Sequence, residues 1–167
     1  MNDTIIAQST PPGQSALAIV RVSGPLCDRI AKEALALPSP TPRVSHLRNY
    51  QSSDSEIIVD QVISVFFPSK KSFTGESTLE ISCHGNPFIV EKILEDLVKR
   101  GCRIAKPGEF TKRAFLSGKI DLTQAESIAE LISAKSEAEL KIANLNLAGA
   151  QGSFCNSLQD KILTLQA

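Results

Sequence analysis

Three charged side chains stand at positions where the sequence gives a charge a specific task. Arg21 lies inside the apolar run 16–22, Glu80 lies on the polar side of a strand predicted at 77–83, and Lys119 stands in a break between two predicted helices. A charge inside an apolar strand costs free energy unless it is paired, so Arg21 needs a carboxylate, and Glu80 is a candidate. Taken alone, the residues favour a structural ion pair over a ligand site.

His84 is the next residue that could take part in chemistry. It lies on the same predicted strand face as Glu80. It therefore either lines a pocket at Glu80 or lies at the edge of that pocket. A nucleophilic pair with Cys83 is excluded, because neighbours in a strand point to opposite faces. His46 is the only other histidine, so no histidine-based metal site and no catalytic residue are predicted.

The pair Gly118-Lys119 does not form a nucleotide phosphate loop. Such a loop needs a glycine five residues earlier and a hydroxyl residue afterwards, and Arg113 and Ile120 occupy those positions. The cations around this pair either attract an anionic ligand tail or form a solvated face. These cations are Lys106, Lys112, Arg113 and Lys119.

The composition excludes several classes of protein. The 167 residues carry 18 basic and 18 acidic side chains, so bulk charge does not attract nucleic acid. The sequence shows no signal peptide and no apolar run of membrane-spanning length, so we expect a cytoplasmic protein. Four scattered cysteines lack metal-site spacing and are predicted to be free, mostly buried thiols: Cys27, Cys83, Cys102 and Cys155.

The elements that must position these residues are mostly strands in the first part of the chain. Periodicity and turn residues predict strands at 5–8, 16–22, 59–67, 77–83 and 102–105, a helix at 26–37 and a polar loop at 48–56. A further helix has Asn86 as N-cap, Pro87 in its first turn and Gly101 as its stop. The pattern predicts an α+β domain with a mixed β-sheet and flanking helices.

The sequence changes to helices only near Gly118. A short helix at 110–116 ends at Gly118, and the next helix begins at Asp121 in a capping box with Gln124. Another begins at Ser136, and its apolar stripe continues to the last residues, so we expect further chain or a partner to cover it. A frayed C-terminus is the alternative. The predicted domains are residues 1–118 and the helical residues 119–167.

Three stretches carry a resemblance to a known family. They are TPPGQSALAIVRVSGP near the start, SFTGESTLEISCHGNP in the middle, and PGEFTKRAFLSGKIDLTQAESIAELI towards the end. Their order and spacing resemble the amino-terminal region of the MnmE (TrmE) family of tRNA-modification GTPases, over nearly the whole chain.

The resemblance implies a folate-binding, dimerising domain over residues 1–118, with a fold related to aminomethyltransferases. It also implies that residues 119–167 are the first helices of a helical domain, into which the family inserts a GTP-binding domain. No GTP-binding motif lies in these 167 residues, so GTP, magnesium and potassium are expected only in that other domain. The chain thus resembles part of a GTP hydrolase.

Carried over to this sequence, the family's folate-contacting residues fall on Arg21, Glu80 and Lys119. The expected cofactor is a tetrahydrofolate derivative, either 5-formyl- or 5,10-methylene-tetrahydrofolate, whose one-carbon unit serves modification of the wobble uridine of certain tRNAs. Glu80 suits the amino-pyrimidine edge of the pterin, and a cation suits the acidic tail. The implied partners are a second copy of the chain, the flavoprotein MnmG and tRNA, with no membrane and no sequence-specific nucleic-acid contact from this region.

One loop departs from the family pattern. Where the family has PPGRGG, this chain has Gln14, Ser15 and Ala16 after its PPG, and therefore loses a cation and two glycines. Two other functions stay open: a structural dimerisation module without a ligand, and a free-standing enzyme similar to the folate-dependent aminomethyltransferases.

Overall fold

The computed structural model describes residues 3–54 and 57–149. The chain divides into two compact units, residues 1–110 and 111–167. The first unit contains a six-stranded sheet with β1 (Ile5–Gln8), β2 (Ser15–Ser23), β3 (Ser45–Gln51), β4 (Ile58–Phe67), β5 (Thr78–Gly85) and β6 (Arg103–Ile104). The strand order is β3-β4-β5-β2-β1-β6. Since β1 pairs with β6 in parallel and the other described pairs are antiparallel, the sheet is mixed and the predicted α+β class is confirmed.

The core lies between one face of this sheet and two helices, α1 (Cys27–Leu35) and α2 (Pro87–Lys99). Alternation along the strands explains which side chains are buried, because every second residue points to the same face. In β2 and β5 the buried residues are Val20, Val22, Leu79 and Ile81, and the helices contribute Ile30, Ala34, Ile93 and Leu97. The intervening residues of β2 and β5 point to the other face, which we name the site face: Leu17, Ile19, Arg21, Glu80, Ser82 and His84.

The capped helix α2 forms as predicted. The Asn86 side chain accepts a hydrogen bond from the backbone N–H of Phe88 at 2.9 Å, and Pro87 occupies the first turn. Gly101 follows the helix with φ of 95°, in the left-handed region that favours glycine. The boundaries of α2 are therefore set by local chemistry.

We predict that Asn86→Ala lowers the free energy of unfolding by about 1 kcal/mol, because one N–H at the helix start loses its side-chain acceptor. Urea unfolding followed by circular dichroism measures the change. Asn49→Ala is the matched control, since Asn49 is exposed on β3. Equal stability of the two variants would contradict a capping role for Asn86.

The loop predicted at 48–56 is wrong in its first part, because β3 runs through Gln51. β3 lies at one edge of the sheet and pairs only with β4 among the described strands. Most of its side chains are exposed, and Tyr50 is the one fully buried residue. An edge strand with solvent on most sides tolerates polar residues, so its sequence resembles a loop.

Helix α1 is shorter than the predicted 26–37. It ends at Leu35, because Ala36 adopts left-handed backbone angles and donates its N–H to the carbonyl of Ala31. Leu37 nevertheless reaches the core, as the helical pattern suggested.

The second unit contains most of α3 (Glu109–Leu116), then α4 (Leu122–Ser133) and α5 (Glu137–Leu147). The capping box of Asp121 and Gln124 and the N-cap at Ser136 are confirmed. The side chain of Gln124 also donates to the carbonyl of Leu147 at 2.9 Å and so joins α4 to α5. Because α5 ends at Leu147, the expected stripe does not continue as one helix through Gly149, and its later positions lie outside the described residues. No helix within 3–54 and 57–149 has both the length and the apolar character to cross a bilayer.

Candidate functional site

Arg21 and Glu80 face each other across the β2–β5 pair. The guanidinium Nε and Nη2 atoms donate to the same carboxylate oxygen, Oε1, at 2.9 and 2.6 Å. The other oxygen, Oε2, accepts no hydrogen bond from the described part of the chain. The side chains keep 29% and 27% of their surface exposed, so a ligand can approach the pair. The predicted pairing of Arg21 with a strand-borne carboxylate is confirmed.

The ring of Phe110 lies beside this pair. The Arg21 Cζ atom is 5.8 Å from the ring centroid, within the range of a cation–π contact. The ring adds a flat apolar surface next to two charged groups. The sequence pattern placed Phe110 only at the start of a short helix and did not predict this contact.

A group of buried hydroxyls adjoins the ion pair along the strands. Ser23 follows Arg21 by two residues and therefore shares its face. Its Oγ atom lies 2.7 Å from Thr74 Oγ1 and donates to Glu76 Oε2 at 3.0 Å. Ser23, Thr74 and Thr78 are all at least 98% buried. The sequence pattern did not single out Thr74, and the available signal was the series of hydroxyl and acidic residues in TGEST.

His84 forms a second polar pair on the site face. Its Nδ1 atom lies 2.8 Å from Asp60 Oδ1, and its backbone N–H donates to Asp60 Oδ2 at 2.8 Å. The imidazole is 67% exposed, whereas the Asp60 side chain is 9% exposed. Asp60 was not singled out by the sequence, because it is adjacent to His84 only through strand pairing.

Lys119 belongs to the second unit, in the break between α3 and α4 that the sequence predicted. Its backbone N–H donates to the carbonyl of Ala114 at 2.9 Å, and Gly118 has φ of 69°. The Lys119 side chain is exposed. The structure brings Arg21 and Glu80 together in the first unit. A shared role of Lys119 with this pair stays a prediction.

The altered loop at 14–16 leads into an irregular start of β2. The β2–β5 register shifts between Ser15 and Leu17, and the Ser15 hydroxyl donates to the carbonyl of Leu17 at 2.8 Å. Opposite this bulge, a Cβ atom on Gly85 would lie 2.4 Å from the Ser15 carbonyl oxygen. The close backbone approach therefore requires glycine at position 85.

Three thiols are buried in the described residues. Burial raises the pKa of Cys27 to about 12 and the pKa of both Cys83 and Cys102 to about 11. A thiol needs its thiolate form to attack or to bind metal, so these thiols are unreactive at neutral pH. Cys155 lies outside the described residues. Within 3–54 and 57–149, no three His, Cys, Asp or Glu side chains are grouped as a metal site would need.

Comparison with known proteins shows the family of this chain. The family described as "GTP-binding protein TrmE N-terminus" matches residues 4–119. A tRNA modification GTPase MnmE of Opitutus terrae is 48% identical over 100% of this chain. Proteins of the same name from Thermotoga maritima and Proteus mirabilis are 45% and 44% identical over 99% and 98% of it.

The chain spans 36% of the length of each of these three relatives. The matched residues include Arg21, Glu80, His84 and Asp60, so the family covers the site face described above. The matched segment exceeds half of the chain, and the identities extend over nearly all of it. This chain therefore belongs to the family of the TrmE (MnmE) N-terminal region.

Proposed function

We propose that the site face binds a tetrahydrofolate derivative, and that the chain serves as the folate-binding part of a tRNA-modifying GTPase. One observation carries the proposal: Arg21 holds Glu80 through a single carboxylate oxygen and leaves Oε2 without a donor from the described chain. An ionised carboxylate offers about four acceptor positions, so it can receive N–H groups from a ligand while Arg21 keeps it oriented.

The chemistry of the ligand matches this arrangement. The amino-pyrimidine edge of a pterin presents adjacent N–H groups, and a carboxylate is their natural acceptor. Arg21 compensates the charge of Glu80, and the Phe110 ring beside Arg21 offers an apolar surface for a flat heterocycle. Lys119 remains our proposed additional cation for the acidic tail. The cofactor is 5-formyl- or 5,10-methylene-tetrahydrofolate.

The domain assignment belongs to the same proposal. Residues 1–118 would form an aminomethyltransferase-like folate-binding domain, and residues 119–167 the first helices of the helical domain. The family match, which ends at residue 119, supports this division. The names of the relatives support tRNA modification as the activity of the whole protein. GTP hydrolysis, cooperation with MnmG and a cytoplasmic location are further proposals for that whole protein.

Exposed apolar side chains of the sheet form a candidate interface for a homodimer. Leu17, Leu47 and Ile63 are 61%, 57% and 45% exposed. Leu47 and Ile63 are direct cross-strand neighbours, and Ile63 pairs with Ser82 of the site face. Exposed apolar groups of this kind favour burial against a partner, and we propose a second copy of the chain.

Isothermal titration calorimetry of the chain with 5-formyltetrahydrofolate tests the folate proposal. We expect saturable heat with one ligand per site and a negative heat-capacity change, because apolar surface is buried on binding. Absence of heat at near-millimolar ligand would favour the structural dimerisation module. The transferase-like alternative requires, in addition, that the chain by itself transfers the one-carbon unit from the ligand to an added nucleophilic acceptor. Mass analysis of the ligand and the acceptor after incubation reveals this transfer.

A further inference from the structure

The His84–Asp60 pair has a defined hydrogen-bond direction. A carboxylate can only accept, so the hydrogen between His84 Nδ1 and Asp60 Oδ1 resides on Nδ1. In the neutral imidazole this leaves Nε2 with a lone pair. Since Asp60 Oδ2 also binds the backbone N–H of His84, both carboxylate oxygens are fixed and the ring orientation is fixed with them. The side chain therefore presents an acceptor outward from the sheet.

The position of His84 on the site face gives this acceptor a place relative to Glu80. His84 lies four residues further along β5 on the same face, roughly 13 Å away at ~3.3 Å per residue. Ser82 stands between them and is flanked in the sheet by Ile19 and Ile63. The face thus offers, in order, a charged pair, a stretch with apolar neighbours, and an oriented acceptor.

This order parallels the three parts of a folate, which are a polar pterin, an aromatic aminobenzoyl group and a glutamate tail. We propose that His84 is a further ligand contact, whose Nε2 accepts a hydrogen bond from an N–H group of the aminobenzoyl-glutamate part. Asp60 is its positioning residue, because it selects the imidazole tautomer that accepts at Nε2. The inference rests on the proposed folate function, with the pterin at Glu80.

Calorimetry with two ligands, one with and one without the aminobenzoyl-glutamate part, tests the His84 contact separately from the pterin site. His84→Phe keeps a flat ring but removes the acceptor, and we expect it to weaken 5-formyltetrahydrofolate binding roughly tenfold, the worth of one hydrogen bond. A tetrahydropterin without the aminobenzoyl-glutamate part should bind this variant as well as the parent. Since His84 is largely exposed, the substitution should leave the fold intact.

Asp60→Asn tests the positioning role. The amide oxygen is expected to accept from the His84 backbone N–H, which turns the amide N–H₂ towards Nδ1 and moves the imidazole hydrogen to Nε2. The Nε2 atom of His84 then donates instead of accepting, so folate affinity should fall about as far as in His84→Phe. Imidazole ¹⁵N chemical shifts report the tautomer directly. The chain has only two histidines, so His46 supplies an internal control signal.

The outcomes distinguish this inference from the folate proposal. If the parent binds neither ligand, the folate proposal fails and the inference fails with it. If the parent binds 5-formyltetrahydrofolate and His84→Phe binds it equally well, or loses both ligands to the same extent, only the His84 assignment is overturned. An Asp60→Asn variant with an unchanged tautomer and unchanged affinity would overturn the positioning role.

Discussion

Replacing Glu80 with Gln should weaken binding of 5-formyltetrahydrofolate by about ten- to hundredfold. The substitution preserves size but removes the negative charge, and hydrogen bonds to ionised groups are worth about 1.5–3 kcal/mol. At ~1.4 kcal/mol per factor of ten, the lower part of that range already corresponds to more than one order of magnitude. The amide also presents an N–H₂ group, which repels the N–H donors of a pterin and of Arg21. Calorimetry on parent and variant measures the change.

Two comparisons make the result specific. Glu91→Gln makes the same chemical change at an exposed residue of α2 and should leave affinity unchanged. Thermal unfolding of the Glu80 variant reports how much the pair with Arg21 contributes to stability. A variant with lower stability but full affinity would show that the ion pair is structural and that Glu80 does not bind the pterin. That outcome would support the interpretation, favoured by the residues alone, that Arg21 and Glu80 form a structural ion pair.

Asp96 supports the largest stability effect that we expect in the first unit. This carboxylate is 3% exposed, yet it lies in a network that satisfies it. Tyr50 donates to Oδ2 at 2.7 Å, Arg100 Nε donates to the same oxygen at 2.7 Å, and the Ser53 backbone N–H donates to Oδ1 at 2.6 Å. The network joins the end of β3 and its following loop to α2.

Asp96→Ala should lower the free energy of unfolding by about 3–5 kcal/mol, the usual cost of breaking a buried charged pair. The buried Tyr50 hydroxyl would lose its acceptor, and Arg100 would lose the partner of its Nε while its other nitrogens keep Glu33 and the carbonyl of Gln51. Against a total stability of ~5–15 kcal/mol, this is enough to unfold part of the population. Urea unfolding at neutral pH measures it, with the exposed Glu95→Ala as control on the same helix. A loss no larger than that of the control would contradict the network's role.

The same residue should give stability a defined pH dependence. Burial raises the pKa of Asp96, but hydrogen bonds from Arg100, Ser53 and Tyr50 outweigh burial and leave the pKa below its ordinary value. A carboxylate whose pKa is lower in the folded state than in the unfolded state stabilises the protein at pH values above the unfolded pKa of ~3.9. This stabilisation is lost as the pH falls through the folded pKa. The stability difference between the parent and Asp96→Asn should therefore shrink as pH falls from ~5 towards ~2. A constant difference over this range would show that Asp96 ionisation does not contribute.

Local sequence determined the elements that hold the site. The N-cap at Asn86, the stop at Gly101 and the capping box at Asp121 depend on residues within a few positions, and each forms as predicted. Alternation in β5 likewise placed Glu80 and His84 on one face and the core residues on the other. These features follow from the backbone geometry of single helices and strands, which a sequence pattern records directly.

Pairing between distant segments was only partly accessible from the sequence. The cost of an unpaired charge indicated that Arg21 needs a carboxylate, and Glu80 was the candidate, although 59 residues separate them. No comparable cost pointed to the partner of an exposed histidine, so Asp60 was missed. Residues 48–51 of β3 were predicted as a loop because the edge position of this strand removes the burial pattern on which strand prediction depends.

What the sequence alone determined was therefore most of the elements, the shared face of Glu80 and His84, and the family. The tertiary structure decided that Arg21 donates to the Oε1 atom of Glu80 and that Ser23 and Thr74 lie together next to this pair. It also decided how Asp60 orients the imidazole of His84. The physical reason is that the partner of each polar side chain depends on the register between strands that are far apart in the chain. A shift of one residue in that register would turn the same side chains to the opposite face.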